Sequence, residues 1–130
     1  MGSGGLILDT CGLIWLASGS QELSREALRA IDGADVVHVS AISAFEIGFK
    51  YALGDLVLPC DPEKWYHDVL AHHDLAEVAV DGRVAIASTK LPLLHRDPCD
   101  RIIIATAKLL HLAVVTRDVR FREYGLEMVG

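Results

Sequence analysis

The stretch Asp97-Pro98-Cys99-Asp100-Arg101-Ile102-Ile103-Ile104-Ala105-Thr106-Ala107 decides how this chain folds. It spells the opening of a buried helix. Asp97 is a good N-cap, Pro98 suits the first helical position, and Asp100 falls where the acidic member of a capping box sits. The apolar run over residues 102–110 then buries most of the helix. A carboxylate at Asp100 is thereby fixed at the mouth of a buried element, ready to meet other acids that the fold brings there.

Upstream, residues 6–9 form a short apolar run ending in an acid. They read as a buried parallel strand with Asp9 at its carboxyl end. Residues 10–17 follow as a short helix, for which Asp9 has the alternative role of N-cap. Ser24 caps a helix reaching residue 30 or 31, with Ala27, Leu28 and Ile31 inward, and Gly33 stops it. Residues 36–39 read as a second strand. Ser40 then caps a helix over 41–53 with Ile42, Phe45, Phe49 and Leu53 on one face. Asp61-Pro62-Glu63 opens a further helix with Trp65, Val69 and Leu70 inward. His72 and His73 end it, as cations suit a helix C-terminus. Residues 75–80 give a third strand, and Asp81 caps a helix over 82–90. Residues 91–96 cross back to Asp97. Downstream come a fourth strand at 112–116, Arg117-Asp118 at its end, a helical turn near Phe121 and a short last strand at 126–129. Alternation of strand and helix predicts a parallel sheet covered on both faces, with its site outside the carboxyl ends of the strands.

At 130 residues, 52% of them hydrophobic, the chain suffices for one domain with one core. Residues 1–5 read as added linker and 6–130 as the domain. No apolar run approaches the roughly 20 residues that span a bilayer, and no signal peptide is legible, so a cytoplasmic protein is expected. Cys11, Cys60 and Cys99 are widely spaced and read as reduced thiols, while the six histidines lack zinc-site spacing. The net charge of −6 argues against electrostatic capture of nucleic acid. That objection weakens if several acids are gathered in one site and neutralised there by metal.

Such a gathering is what the topology predicts. Asp9 and Asp118 fall at carboxyl ends of strands, and Asp100, at the start of a helix, falls on the same rim. Glu46 lies beside Phe45 at the border of the apolar stripe, with Lys50 four residues on, a pairing of only a few tenths of a kcal/mol. Packed carboxylates repel unless one is protonated or a cation joins them. Hard divalent ions take oxygen ligands, and Mg²⁺ typically binds one or two carboxylates plus water and substrate phosphate. Phosphodiester cleavage uses such ions. No Ser-His-Asp, Cys-His or glycine-rich phosphate motif points to other chemistry, so a metal-dependent nuclease is the reading.

Four stretches carry a resemblance: LILDTCGLIWLA (6–17), SAISAFEIGFKYALGDLVLP (40–59), LPLLHRDPCDRIIIATA (91–107) and VVTRDVRFREYG (114–125). In this order they resemble PIN-domain ribonucleases, in particular the VapC-type toxins of bacterial toxin–antitoxin pairs. The resemblance implies a PIN-like three-layer α/β fold with a five-stranded parallel sheet, and Mg²⁺ or Mn²⁺ as cofactor. It further implies hydrolysis of RNA by a metal-activated water. Asp9, Glu46 and Asp118 match three of the family's acids. Asp97 and Asp100 both stand where the remaining one falls, and Asp100 is favoured because Asp97 already serves as a cap. Asp9, Asp100 and Asp118 are thus the implied ligands, with Glu46 completing the site and Thr116 beside it. Arg96, Arg101, Arg117 and Arg120 are candidates for phosphate contacts. Cys99 replaces an aromatic residue common in the family's motif. A homodimer and a VapB-type antitoxin are the implied partners, with Ile14, Trp15, Leu53 and Val57 as candidate dimer-face residues. The alternatives are an acidic pocket that binds a basic partner without catalysis, and a receiver-like module. The latter needs a lysine at the end of the last strand, and none lies at or after the fourth.

Overall fold

The computed structural model describes residues 5–130, so residues 1–4 of the expected linker lie outside the described residues. Gly5 immediately precedes the first strand, and its carbonyl accepts the Ala113 N–H at 3.4 Å. A Cβ there would come within 3.1 Å of the Val36 carbonyl, so glycine is what lets the first strand start against its neighbour.

The elements alternate as expected: β1 (Leu6–Leu8), α1 (Thr10–Ser18), α2 (Arg25–Gly33), β2 (Val37–Ser40), α3 (Ala41–Ala52), α4 (Pro62–His72), β3 (Leu75–Val78), α5 (Gly82–Thr89), α6 (Pro98–Leu110), β4 (Ala113–Val115), a 3₁₀ helix (Val119–Tyr124) and β5 (Met128–Val129). Local chemistry sets the helix starts. Ser24, Ser40, Asp61, Asp81 and Asp97 each accept a backbone N–H of the first turn, which satisfies donors that the helix leaves free. Gly33 falls inside α2 rather than ending it; Ala34 is the terminal cap.

The five strands form one parallel sheet in the order β3-β2-β1-β4-β5. β1 is central and wholly buried, and its side chains alternate between two cores. Leu6 and Leu8 join Leu13, Ala27, Ile47, Trp65 and Val69 on one face, whereas Ile7 joins Ile103, Ile104, Val114 and Phe121 on the other. This gives three layers, helix on sheet on helix, with α5 packed against α6. Leu8 is paired with Val39 and with Val115, so the residues that follow, Asp9, Ser40 and Thr116, leave the sheet at one level.

Two expectations about buried faces are corrected. Phe45, Phe49 and Leu53 of the expected α3 core stripe are 59%, 54% and 60% exposed. The face of α3 that meets the sheet carries Ser43 and Ile47 instead, and the rings of Phe45 and Phe49 stack on each other at 5.7 Å in the open. Leu28 of α2 is likewise exposed, while Ala27 is fully buried. An apolar stripe states that a helix has an apolar face; it does not state that this chain covers it.

Candidate active site

Asp9, Glu46, Asp97, Asp100 and Asp118 line one cleft of about 230 Å³ at the carboxyl ends of the strands. Two larger clefts lie at the opposite, amino-terminal edge of the sheet, one beside Val37 and Asp74, the other beside Ala113 and Leu126. In open parallel sheets ligands bind at the carboxyl edge, which favours the acidic cleft despite its size.

Each acid is held by the element that carries it. Asp9 is the N-cap of α1: Oδ1 accepts the Gly12 N–H at 2.7 Å and Oδ2 accepts the Thr116 hydroxyl at 2.6 Å. Both roles open to Asp9 in the sequence are therefore compatible, because capping fixes the carboxylate without removing it from the cleft. Thr116 Oγ1 also accepts the Asp118 N–H at 3.1 Å, so one buried hydroxyl registers two acids. Asp97 caps α6 through the Cys99 and Asp100 N–H groups. Asp100 does not close a capping box. The Asp97 N–H that it would reach donates instead to His95 Nδ1, and Asp100 Oδ2 lies 3.0 Å from His95 Nε2. Glu46 Oε2 pairs with Lys50 at 3.1 Å, while Glu46 Oε1 is buried without a hydrogen-bond partner among the described residues. Beneath them, the Thr10 and Ser43 hydroxyls bond at 2.8 Å and tie α1 to α3.

Crowding divides the acids electrostatically. Burial, then the Asp97 carboxylate, with smaller contributions from Glu46 and Asp9, pushes Asp100 up to about 7 against the pull of His95. Burial also raises Asp9, opposed by the bonds from Thr116 and Gly12. Asp118 moves the other way, down to about 2, because Arg120 donates to both of its oxygens at 3.0 and 2.8 Å. Burial first, and then the surrounding acids, raises the Cys99 thiol to about 11, and burial raises Cys11 as well. Neither is primed as a nucleophile.

The candidate phosphate contacts separate into different roles. Arg117 lines the cleft and pairs with Glu22, and Arg96 is exposed. Arg120 is committed to Asp118. Arg101 is committed to the fold, its guanidinium donating to the carbonyls of Ser88, Leu91, Pro92 and His95, which corrects its expected role. Of the dimer-face candidates, Leu53 and Val57 are exposed, whereas Ile14 and Trp15 pack against the core. The sequence left two participants unassigned. Lys50 lines the cleft rather than decorating the surface. His95, 2% exposed, sits between Asp100 and Asp118; its one sequence signal was its place just before Asp97.

The donor set suits a hard divalent cation. Five carboxylates line the cleft, one of their oxygens is buried without a partner among the described residues, and His95, Asp100 and Asp118 offer ligand-type atoms within 4.8 Å of one another.

The PIN domain family model matches residues 6–126. The chain belongs to the PIN-domain family. Over 120 residues this PIN domain is 32% identical to Ribonuclease VapC22 of Mycobacterium tuberculosis, covering 92% of the chain and 91% of that relative. Among solved structures, it matches VapBC2 from Rickettsia felis bound to a DNA fragment from their promoter, with a TM-score of 0.71 and 14% identity over 96% of this chain and 97% of that one. FitAcB from Neisseria gonorrhoeae matches with a TM-score of 0.67 and 22% identity, covering 96% of each chain. These likenesses establish the PIN-like fold expected from the sequence.

Proposed function

We propose that the protein is a Mg²⁺- or Mn²⁺-dependent endoribonuclease, the toxin component of a type II toxin–antitoxin pair. The observation that carries this reading is the convergence of Asp9, Glu46, Asp100 and Asp118, from four distant segments, on one cleft at the carboxyl edge of the sheet. The similarity to a relative named as a ribonuclease, along nearly the whole of both chains, supports the same activity.

Asp9, Asp100 and Asp118 would hold the ion, with Glu46 completing the set. When bound, such an ion supplies the charge that polarises a phosphoryl oxygen and lowers the pKa of a water. The chain's own groups do the rest. Thr116 and the Gly12 N–H orient Asp9, and Arg120 keeps Asp118 ionised. Lys50 and Arg117 are the cations lining the cleft, and the exposed Arg117–Glu22 pair is weak enough to exchange for an RNA phosphate. An acidic cleft neutralised by its own ion removes the objection raised by a net charge of −6.

A VapB-type antitoxin is the proposed inhibitor, and a second copy of the chain the proposed dimer partner. The matched VapBC2 and FitAcB structures support a partner of this class. The exposed apolar residues Phe45, Phe49, Leu53 and Val57 support a surface that another protein covers. No helix among the described residues is long and apolar enough to cross a membrane, and a cytoplasmic site of action is proposed with the RNA substrate.

The test is cleavage of RNA by the purified chain with Mg²⁺ or Mn²⁺, beside Asp100→Asn and a chelator control. Cleavage is expected to vanish in both. Cleavage that persists through both removes the assignment. No cleavage and no Mn²⁺ binding at millimolar concentration, with tight binding to a basic peptide, would favour an acidic docking pocket instead.

A further inference from the structure

His95 has no part in the chemistry proposed so far, yet nothing around the cleft is more firmly fixed. Its N–H donates to the Tyr124 hydroxyl at 2.8 Å and its carbonyl accepts from Arg101 at 3.0 Å. Its ring stands edge-on to Phe121 at 5.9 Å. The side chain is 2% exposed, so the imidazole has one orientation available.

Hydrogen bonding fixes the tautomer too. Nδ1 lies 3.2 Å from the Asp97 backbone nitrogen, and an N–H can only donate, so Nδ1 accepts. The ring proton therefore sits on Nε2. Nε2 points along a hydrogen bond to Asp118 Oδ2 at 3.1 Å, with Asp100 Oδ2 at 3.0 Å from the same atom. A metal-ligating imidazole turns a bare nitrogen to the ion and donates its other N–H to an acceptor. His95 is arranged the opposite way. Although His95, Asp100 and Asp118 are close enough to pass for a three-ligand set, the histidine in it is a donor to Asp118.

We propose that His95 is the positioning residue of this site: its Nε2–H holds Asp118 beyond β4, its ring edge stands against Asp100 of α6, and the imidazole between them sets the gap across which their remaining oxygens face a divalent ion, without ligating the ion itself. This rests on the metal-site reading given under the proposed function. Two carboxylates from separate elements repel, and an N–H placed between them, bonded to one and close to the other, offsets that repulsion. Phenylalanine fills the same volume with no donor. Glutamine reaches far enough to place an N–H near Nε2, whereas the asparagine amide stops short of it.

The test is calorimetric titration of Mn²⁺ into the full chain, as wild type, His95→Phe, His95→Asn and His95→Gln, with thermal unfolding of each in metal-free buffer. Orienting partners of metal ligands typically contribute about 10–100-fold in affinity, and that loss is expected for Phe and Asn, with Gln recovering most of it. A packing role alone would instead lower Tm, leave the Mn²⁺ affinity of the folded protein unchanged and rank Phe above Gln. Wild-type affinity in whichever of the Phe and Asn variants folds overturns the proposal while leaving the metal site intact. No Mn²⁺ binding by the wild type overturns the metal site, and this proposal with it.

Discussion

Replacing Arg101 by alanine removes a charge that the sequence offers to RNA and that the fold uses internally. Nη1 donates to the Pro92 and His95 carbonyls at 3.1 and 3.0 Å, and Nη2 to those of Ser88 and Leu91, both at 2.9 Å. Hydrogen bonds with one charged partner contribute about 1.5–3 kcal/mol each, so simple addition over four gives roughly 6–12 kcal/mol. Bonds that share one side chain are not additive, and the half-buried site admits water to the freed carbonyls. About 3–5 kcal/mol is the expected loss, as for removing one partner of a buried charged pair. Domains hold only about 5–15 kcal/mol in all, so the urea midpoint should fall by about a fifth or more at unchanged slope. Arg101→Lys keeps the charge but not the fork, and should recover less than half. RNA affinity, measured where the variant is still folded, should change little. A variant within about 1 kcal/mol of wild-type stability that nonetheless binds RNA poorly would refute the structural assignment.

Asp100→Asn should raise the metal-free Tm while weakening Mn²⁺ binding at least tenfold, because burial and the Asp97, Glu46 and Asp9 carboxylates oppose its charge. Relief of a single pKa unit is worth about 1.4 kcal/mol, and a lowered Tm would contradict the crowding argument. Thr116→Val removes the donor to Asp9 and the acceptor of the Asp118 N–H, for an expected loss of about 2–4 kcal/mol by denaturant titration. Thr116→Ser keeps both bonds, and equal losses in the two variants would show that the methyl group, not the hydroxyl, matters. Phe45→Ser with Phe49→Ser should alter stability by less than about 1 kcal/mol. Ile103→Ala, in the fully buried core, should lower it by about 2–5 kcal/mol in the same assay.

How much the sequence disclosed follows the range of the interactions involved. Helix starts were legible because Ser24, Asp61, Asp81 and Asp97 act within three residues of themselves. Asp9, Asp100 and Asp118 were legible because the alternation of elements sends the ends of parallel strands to one edge. Phe45 and Phe49 misled because α3 is apolar on two sides, and periodicity does not say which side the sheet covers. Arg101 misled because an arginine beside an acidic motif looks like a phosphate ligand, while its acceptors are carbonyls at the end of α5 and in the segment after it, which local pattern does not bring to its side chain. His95 was silent for a related reason. It is buried by Phe121 and Tyr124, more than twenty-five residues further on, which fold beneath the loop only when β4 is in place.

Asp100 and Arg101 are neighbours in sequence, but successive helical residues point about 100° apart. Asp100 consequently faces the cleft while Arg101 faces the end of α5 and the segment that follows it to His95. Both nevertheless converge on one residue. Asp100 lies against the His95 ring, and Arg101 grips the His95 carbonyl. The Asp97 N–H, at the start of the same helix, sets the tautomer of that ring. Three positions in the first turn of α6 therefore act on His95, and His95 in turn reaches Asp118 across the cleft. The opening of this helix does more than deliver an acid to the rim. It holds the loop whose histidine fixes where that acid stands relative to the next one, so a lost Arg101 should disturb the cleft as well as the fold.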